Sequence, residues 1–228
     1  MENILEVKNL CKSYDKFSLK NINLELPKGT IMGLVGENGA GKSTTIKAIL
    51  NLVNTSDGII KIFGKDSKEN EIEIKEDIGV VLDEGFVSEY ITPNGINSIM
   101  KEIYKNWDEE LYFKYLEDFK LPKDKISKEY SSGMKMKLKI AVALAHHPKL
   151  LILDEPTSGL DPIARNDILD IFQEFIQDEE HGIFVSSHIT SDLESIADYI
   201  TFINNGEIVL SKTRDELLDK MRNCTMYQ

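Results

Sequence analysis

The nine residues "GENGAGKST" at 36–44 constrain this chain more than any other stretch. They fit G-x-x-x-x-G-K-[ST], with Gly36, Gly41, Lys42 and Ser43 at the fixed places and Asn38, Gly39, Ala40 and Thr44 filling out the loop. Glycine lets a backbone wrap closely around phosphate oxygens without a Cβ in the way. The loop N–H groups and the N-terminus of a following helix then favour negative charge. Lys42 is placed to bring an ammonium to the terminal phosphates of a nucleotide, Ser43 to offer its hydroxyl to Mg²⁺, and Thr44 to add a hydroxyl to the innermost phosphate. The context is also the required one. "TIMGLVG" at 30–36 is an apolar run closing on glycine, which predicts a buried strand. "KSTTIKAILNLV" follows with Ile46, Ile49, Leu50 and Val53 at helical spacing.

A second apolar run, "LLILDEP" at 150–156, ends in two acids. Strands buried on both faces read this way, and ligands of open α/β sheets bind at the carboxyl ends of such strands. Asp154 is then a candidate Mg²⁺ ligand. Glu155 is expected to point the other way along the pleat and to polarise an attacking water.

Around these runs the chain divides. "ILEVKNLCKSY" and "FSLKNINLELPKG" predict an N-terminal antiparallel β-subdomain. Residues 85–148 predict a mostly helical insertion. Thr92 and Pro93 form a helix start, followed by an apolar stripe of Ile96, Ile99, Met100, Ile103 and Tyr104 expected to pack in a core. Asp108 is the expected cap of a second helix whose face is Tyr112, Tyr115, Leu116 and Phe119. Later come a helix around 162–178, the strand "GIFVSSH", a capping box from Ser191 to Glu194, and a hairpin at Asn205-Gly206. Strand and helix alternate, which predicts an α/β fold with a mostly parallel central sheet.

The helix start in "YSSGMKMKL" at 130–138 offers two hydroxyls, a glycine and free N–H groups, a second anion-binding feature with no evident partner in its own chain. Lys135, Lys137 and Lys139 beyond it read as a solvated helix face. His146, His147 and His181 read as structural or solvated, and Trp107 stands in no constellation.

The chain has 228 residues, 41% of them hydrophobic, enough for one globular domain with a sizeable core. A formal net charge of −12 argues against nucleic-acid binding. Cys11 and Cys224 are too few for a disulfide framework and read as free thiols in a reducing compartment. No signal segment and no apolar run of membrane-spanning length stands out, so a soluble, cytoplasmic chain is expected, with any membrane role supplied by another subunit.

Taken in order, these motifs resemble the nucleotide-binding domain of ATP-binding cassette (ABC) transporters over essentially the whole chain. The resemblance implies a P-loop NTPase fold and ATP and Mg²⁺ as ligands. It matches Tyr14 to the aromatic that stacks on adenine, "YSSGM" to the signature, and Asp161 in "SGLD" to the aspartate of a loop that would help couple the two sites across the dimer interface. His188 in "VSSH" matches the switch histidine. It further implies that two copies pack head to tail, each ATP lying between the phosphate loop of one and the signature of the other. Ser131 and Gly133 would then grip the γ-phosphate of the other copy's ATP. The signature departs from Leu-Ser-Gly-Gly-Gln at Tyr130, Ser132 and Met134, and Asp83 stands where the family has a metal-contacting glutamine. The expected function is the motor subunit of a transporter, export-type, paired with a separate transmembrane permease and lying peripherally at the inner face of the membrane. The alternative is a soluble cassette ATPase acting on ribosomes or DNA. A module that only senses nucleotide is opposed by the intact Lys42, Asp154 and Glu155.

Overall fold

The computed structural model describes residues 2–82 and 88–217. In chain order they form β1 (Asn3–Ser13), β2 (Ser18–Pro27), β3 (Thr30–Val35), α1 (Lys42–Ile49), β4 (Asp57–Ile62), β5 (Lys65–Asp66), α2 (Glu71–Glu76) and β6 (Ile78–Val81). Then come α3 (Pro93–Ile103), α4 (Glu109–Asp118), a single 3₁₀ turn (Ser127–Glu129), α5 (Ser132–Leu144), β7 (Leu150–Asp154), α6 (Pro162–Phe175), β8 (Gly182–Ser187), α7 (Thr190–Ile196), β9 (Tyr199–Asn204) and β10 (Glu207–Thr213).

Two sheets result. An antiparallel one runs β2-β1-β4-β5, and a larger one runs β10-β9-β3-β8-β7-β6, parallel except for the β9–β10 hairpin. In β2 the buried Ile22, Leu24 and Leu26 alternate with exposed Asn23 and Glu25, the period of a sheet with one wet face. β7 and β8 are buried at every position, as central parallel strands are. Helix α1 lies between the layers. Its Ile46, Ala48 and Ile49 share one core with Leu24 and Ile60 of the small sheet and Leu34, Ile152 and Phe184 of the large one. The other face of the large sheet packs against α5, α6 and α7 through residues including Met136, Ile140, Ile168, Phe172 and Leu193. Helices α3, α4 and α5 gather a third cluster around Ile96, Tyr112, Leu116, Leu138 and Val142. The fold is thus α/β, with an antiparallel β-subdomain at the N-terminus and an inserted helical part.

The caps expected at Thr92 and Asp108 are present: Thr92 Oγ1 accepts from Gly95 N at 3.2 Å and Asp108 Oδ1 from Leu111 N at 2.8 Å. The Asn205-Gly206 turn has both φ angles positive, 46° and 76°, as a two-residue hairpin of primed type requires. Three expectations fail. The expected stripe on α3 is buried only at Ile96, while Ile99 and Ile103 are 42% and 57% exposed, because α4 and α5 cover one flank of a helix whose apolar positions wrap further round. Ser191 does not cap α7. The helix starts one residue earlier, after Ile189, where Ser187 Oγ accepts from Ile189 N at 2.9 Å and sets the turn. The three lysines of α5 are not a solvated face. Lys135 pairs with Glu89, Lys137 with Asp167, and Lys139 donates to the Leu82 carbonyl at 2.8 Å, because the turn before α3, helix α6 and the residue after β6 supply acceptors.

Candidate active site

Parallel pairing brings three strand ends to one edge. Val35 of β3 sits opposite Ser187 of β8, and Asp154 of β7 opposite Ser186. The phosphate loop, Glu155 and His188 therefore leave the sheet side by side, at the carboxyl end where a ligand is expected.

The loop at 36–44 has the shape its glycines predicted. Gly39 and Gly41 take φ of 83° and 119°, which β-carbon-bearing residues avoid. A Cβ on Gly36 would lie 2.5 Å from the Ile203 carbonyl of β9, so the loop depends on close backbone approach there. Glu37, Asn38 and Gly39 form the exposed crest, and Ala40 is buried beneath it. Gly41 closes the loop directly before α1, whose first residues are Lys42, Ser43 and Thr44. A cleft of about 770 Å³ flanks the crest on the His188 side, with Phe202 and Val209 on its far wall.

Lys42 is 5% exposed. Its Nζ donates to the Gly36 carbonyl at 2.7 Å and the Glu37 carbonyl at 3.2 Å, and lies 3.0 Å from Glu155 Oε1. That last contact is an ion pair at an angle too poor for a hydrogen bond, so Oε1 counts among the buried oxygens without one. The other oxygen of Glu155, Oε2, accepts from His188 Nδ1 at 2.6 Å and from His188 N at 3.2 Å. Lys42, Glu155 and His188 thus form one charged chain. The pleat does not aim Glu155, contrary to expectation. β7 ends at Asp154, and Glu155 adopts a left-handed φ of 51°, a conformation that costs about 1–2 kcal/mol for a residue with a Cβ. Such strain concentrates at working sites.

Asp154 is 2% exposed and accepts from Ser186 Oγ at 2.6 Å. The same Ser186 oxygen accepts from Glu155 N at 3.0 Å. Ser186 was missed by sequence reasoning, although a polar residue inside the fully buried run of β8 is a signal. Phe17 was missed as well. A Cβ on Gly41 would meet its ring at 3.0 Å, so Phe17 backs the loop, while Tyr14 is 47% exposed with Lys12 Nζ 4.8 Å from its ring centroid.

The remaining candidates sit elsewhere. Ser131 caps α5, its Oγ accepting from Met134 N at 3.2 Å, which leaves its own proton to donate outward. Ser131 is exposed, whereas Gly133 is buried. A Cβ on Gly133 would approach the Cβ of Ala164 to 3.1 Å, so that glycine is explained by the packing of α5 on α6. Asp161 caps α6, its Oδ1 accepting from Ile163 N and Ala164 N, both at 3.1 Å. Among the described residues no hydrogen bond links Ser131, Asp161 or Tyr14 to the Lys42–Glu155–His188 chain. Asp83 lies outside the described residues. His146 and His181 are structural, bonded to the Ile78 and Phe175 carbonyls, and Trp107 Nε1 donates to Asn97 Oδ1 at 2.8 Å.

Mg²⁺ fits the donors beside the loop. Ser43 and Asp154 supply the hard oxygens that ion prefers. Among the described residues no group of three or more His, Cys, Asp or Glu side chains is placed to hold a metal ion.

The family model of ABC transporters matches residues 19–158, spanning the phosphate loop and both acids at the end of β7. The chain belongs to the ABC transporter family. Its members of this type are ATP-binding cassettes, ATPases coupled to transport. The cassette is 37% identical over 231 residues to the bacitracin transport ATP-binding protein BcrA of Enterococcus faecalis, covering 100% of this chain and 75% of that one. It is 37% identical over 225 residues to the lantibiotic transport ATP-binding protein SrtF of Streptococcus pyogenes, covering 96% of each. Among solved structures, an ATP-binding subunit of an ABC transporter superposes with a TM-score of 0.85 at 28% identity, over 96% of this chain and 93% of that one.

Proposed function

We propose that this cassette hydrolyses ATP as one of two copies packed head to tail, each ATP held between the phosphate loop of one copy and the signature of the other. The single observation that carries the reading is the charged chain at the strand ends: Glu155 held between Lys42 at 3.0 Å and His188 at 2.6 Å, beside a glycine loop built for phosphate. Loop amides from Gly36 to Gly41, with Asn38, Gly39 and Ala40 between them, wrap the phosphates, and Thr44 adds a hydroxyl. Lys42 leaves its carbonyl partners for phosphate oxygens. Glu155, released from Lys42, orients water and takes its proton. With Nδ1–H already given to Glu155, His188 offers Nε2–H to the γ-phosphate only as imidazolium. Ser43 and Asp154 would hold Mg²⁺, which would neutralise charge on the phosphates when bound. Tyr14 stacks on the adenine face. Ser131, with the N–H groups at the start of α5, completes the site across the interface, and Asp161 lies at that interface. Residues 85–148 are proposed as the helical subdomain that carries the signature. Asp83, just beyond β6, is proposed as a further metal contact.

The permease is a separate membrane subunit, against whose inner face the cassette sits. No helix among the described residues is long and apolar enough to cross a bilayer. Peptide antibiotics are the proposed cargo class and export the direction, by analogy with the transport named for BcrA and SrtF. A ribosome- or DNA-directed ATPase gains no support from these relatives, and a net charge of −12 opposes binding to a phosphate backbone.

The sandwich is tested by Ser131→Ala combined with Ser132→Asp, two exposed positions at the start of α5. The double variant is expected to bind ATP with unchanged stoichiometry while ATP-driven dimerisation, followed by light scattering, is lost. Turnover that persists undiminished at every dilution overturns the reading.

A further inference from the structure

Helix α6 touches more of the machinery than any mechanism assigned to it so far requires. At its N-terminus Asp161 is the cap, and Arg165 N donates back to the Asp161 carbonyl at 3.0 Å. One face of its first turn receives the signature helix. Ala164 lies where a Cβ on Gly133 would come within 3.1 Å, and one turn on Asp167 pairs with Lys137 of α5 at 2.6 Å. The side chain next to Ala164, Arg165, reaches α7, where its guanidinium lies 3.6 Å from Asp192. That helix begins two residues after His188, through a turn fixed by Ser187.

The Arg165–Asp192 pair is built as a strut rather than as a surface ion pair. Asp192 is 5% exposed, its Oδ2 has no hydrogen-bond partner among the described residues, and neither has Arg165 Nε. A buried carboxylate facing one cation cannot lose that cation cheaply. Moving α7 away from α6 would strand the charge, so a shift of one helix start is opposed unless the other follows. A half-satisfied pair at 3.6 Å is also not locked. It has room to tighten, which a fully bonded network lacks.

We propose that Arg165 and Asp192 are positioning residues through which the two ATP sites of the sandwich sense each other. The inference rests on the head-to-tail reading above. In that arrangement the signature of a chain contacts the partner's nucleotide, while its Glu155 and His188 face its own. Helix α6 contacts both the signature helix and the helix behind His188. Engagement of the signature at one site is passed through Ala164 and Arg165 to Asp192, and sets His188, with the Glu155 it holds, at the other.

The test uses the full chain with Arg165→Gln, which keeps most of the side-chain length and alters the more exposed partner, together with Asp192→Asn. The parent is expected to hydrolyse ATP with a Hill coefficient above one. Arg165→Gln is expected to bring that coefficient to one and to lower kcat by about tenfold, within the range for a residue on a coupling network, with KM for ATP within about twofold. The double variant is expected to be no worse than Arg165→Gln alone, since residues acting as one strut do not add. An unchanged Hill coefficient in Arg165→Gln, or single-variant losses in kcat that multiply, overturns the inference. The failure of the sandwich itself is read separately. A Glu155→Gln chain that does not dimerise with ATP sinks the head-to-tail reading. The same chain dimerising normally, with cooperativity intact in Arg165→Gln, sinks only the strut.

Discussion

At Glu155, the pleat expected from the sequence does not aim the side chain. An apolar run ending in Asp-Glu announced the pair, but alternation along a strand does not foretell that the chain leaves the pleat at φ 51°. That turn directs the carboxylate between a lysine and a histidine more than thirty residues away on either side. Substituting Glu155→Gln keeps the shape and removes both the charge opposite Lys42 and the basic oxygen. Turnover is expected to fall by about 10²–10⁴-fold, the range for losing a positioned general base, with ATP still bound. Near-parent phosphate release in a steady-state assay would remove Glu155 from the chemistry. Ser186 illustrates what one residue hides in a sequence. Flanked by valine and serine in an apolar strand, its type was visible, but its double contact to Asp154 and Glu155 depends on β7 and β8 being neighbours.

Among the elements, those with local causes were legible. The α3 and α4 caps, the phosphate loop between β3 and α1, and the Asn205-Gly206 hairpin each follow from chemistry within a few residues, and each is present. What failed depended on neighbours. Burial of Ile99 and Ile103 needed a partner helix on a flank that none covers, and the fate of the α5 lysines needed acceptors from elsewhere in the chain. The hairpin itself has a reach the sequence does not disclose. Gly206 N donates to the Ala40 carbonyl at 2.9 Å, and a Cβ on Gly206 would fall 1.8 Å from the Ser18 carbonyl. Gly206→Ala therefore combines a positive φ with a backbone clash. It is expected to lower unfolding stability in urea by about 2–4 kcal/mol and to weaken ATP binding, since the residue that must shift away from Ser18 also bonds the Ala40 carbonyl of the phosphate loop. A stability loss below about 0.5 kcal/mol would show that the hairpin moves freely.

For the whole molecule, the junction between helical cluster and large sheet carries a pH dependence. His146, at the end of α5, is 1% exposed, stacks on Tyr104 with centroids 4.0 Å apart, and donates Nε2–H to the Ile78 carbonyl of β6 at 3.1 Å. Burial holds its pKa below the ordinary histidine value of 6.5, outweighing the bond to Ile78. The unfolded chain therefore takes up a proton at higher pH than the folded one. The stabilisation is fully present above about pH 6.5 and is lost as pH falls from there through the folded value. Thermal melts of the parent are expected to show Tm falling between pH 7 and pH 5 more steeply than those of His146→Gln. Parallel profiles would assign the acid sensitivity to other groups.

The bond from Gly206 to Ala40 ties the chain's 40th residue to its 206th. During synthesis the phosphate loop emerges early, but the hairpin that braces it is made only after β8 and α7. A growing chain thus carries the loop's sequence long before it can hold its shape. A firm hold on ATP is expected to arise abruptly once β10 has been made and the hairpin can close, sparing an unfinished cassette from consuming fuel or recruiting a partner.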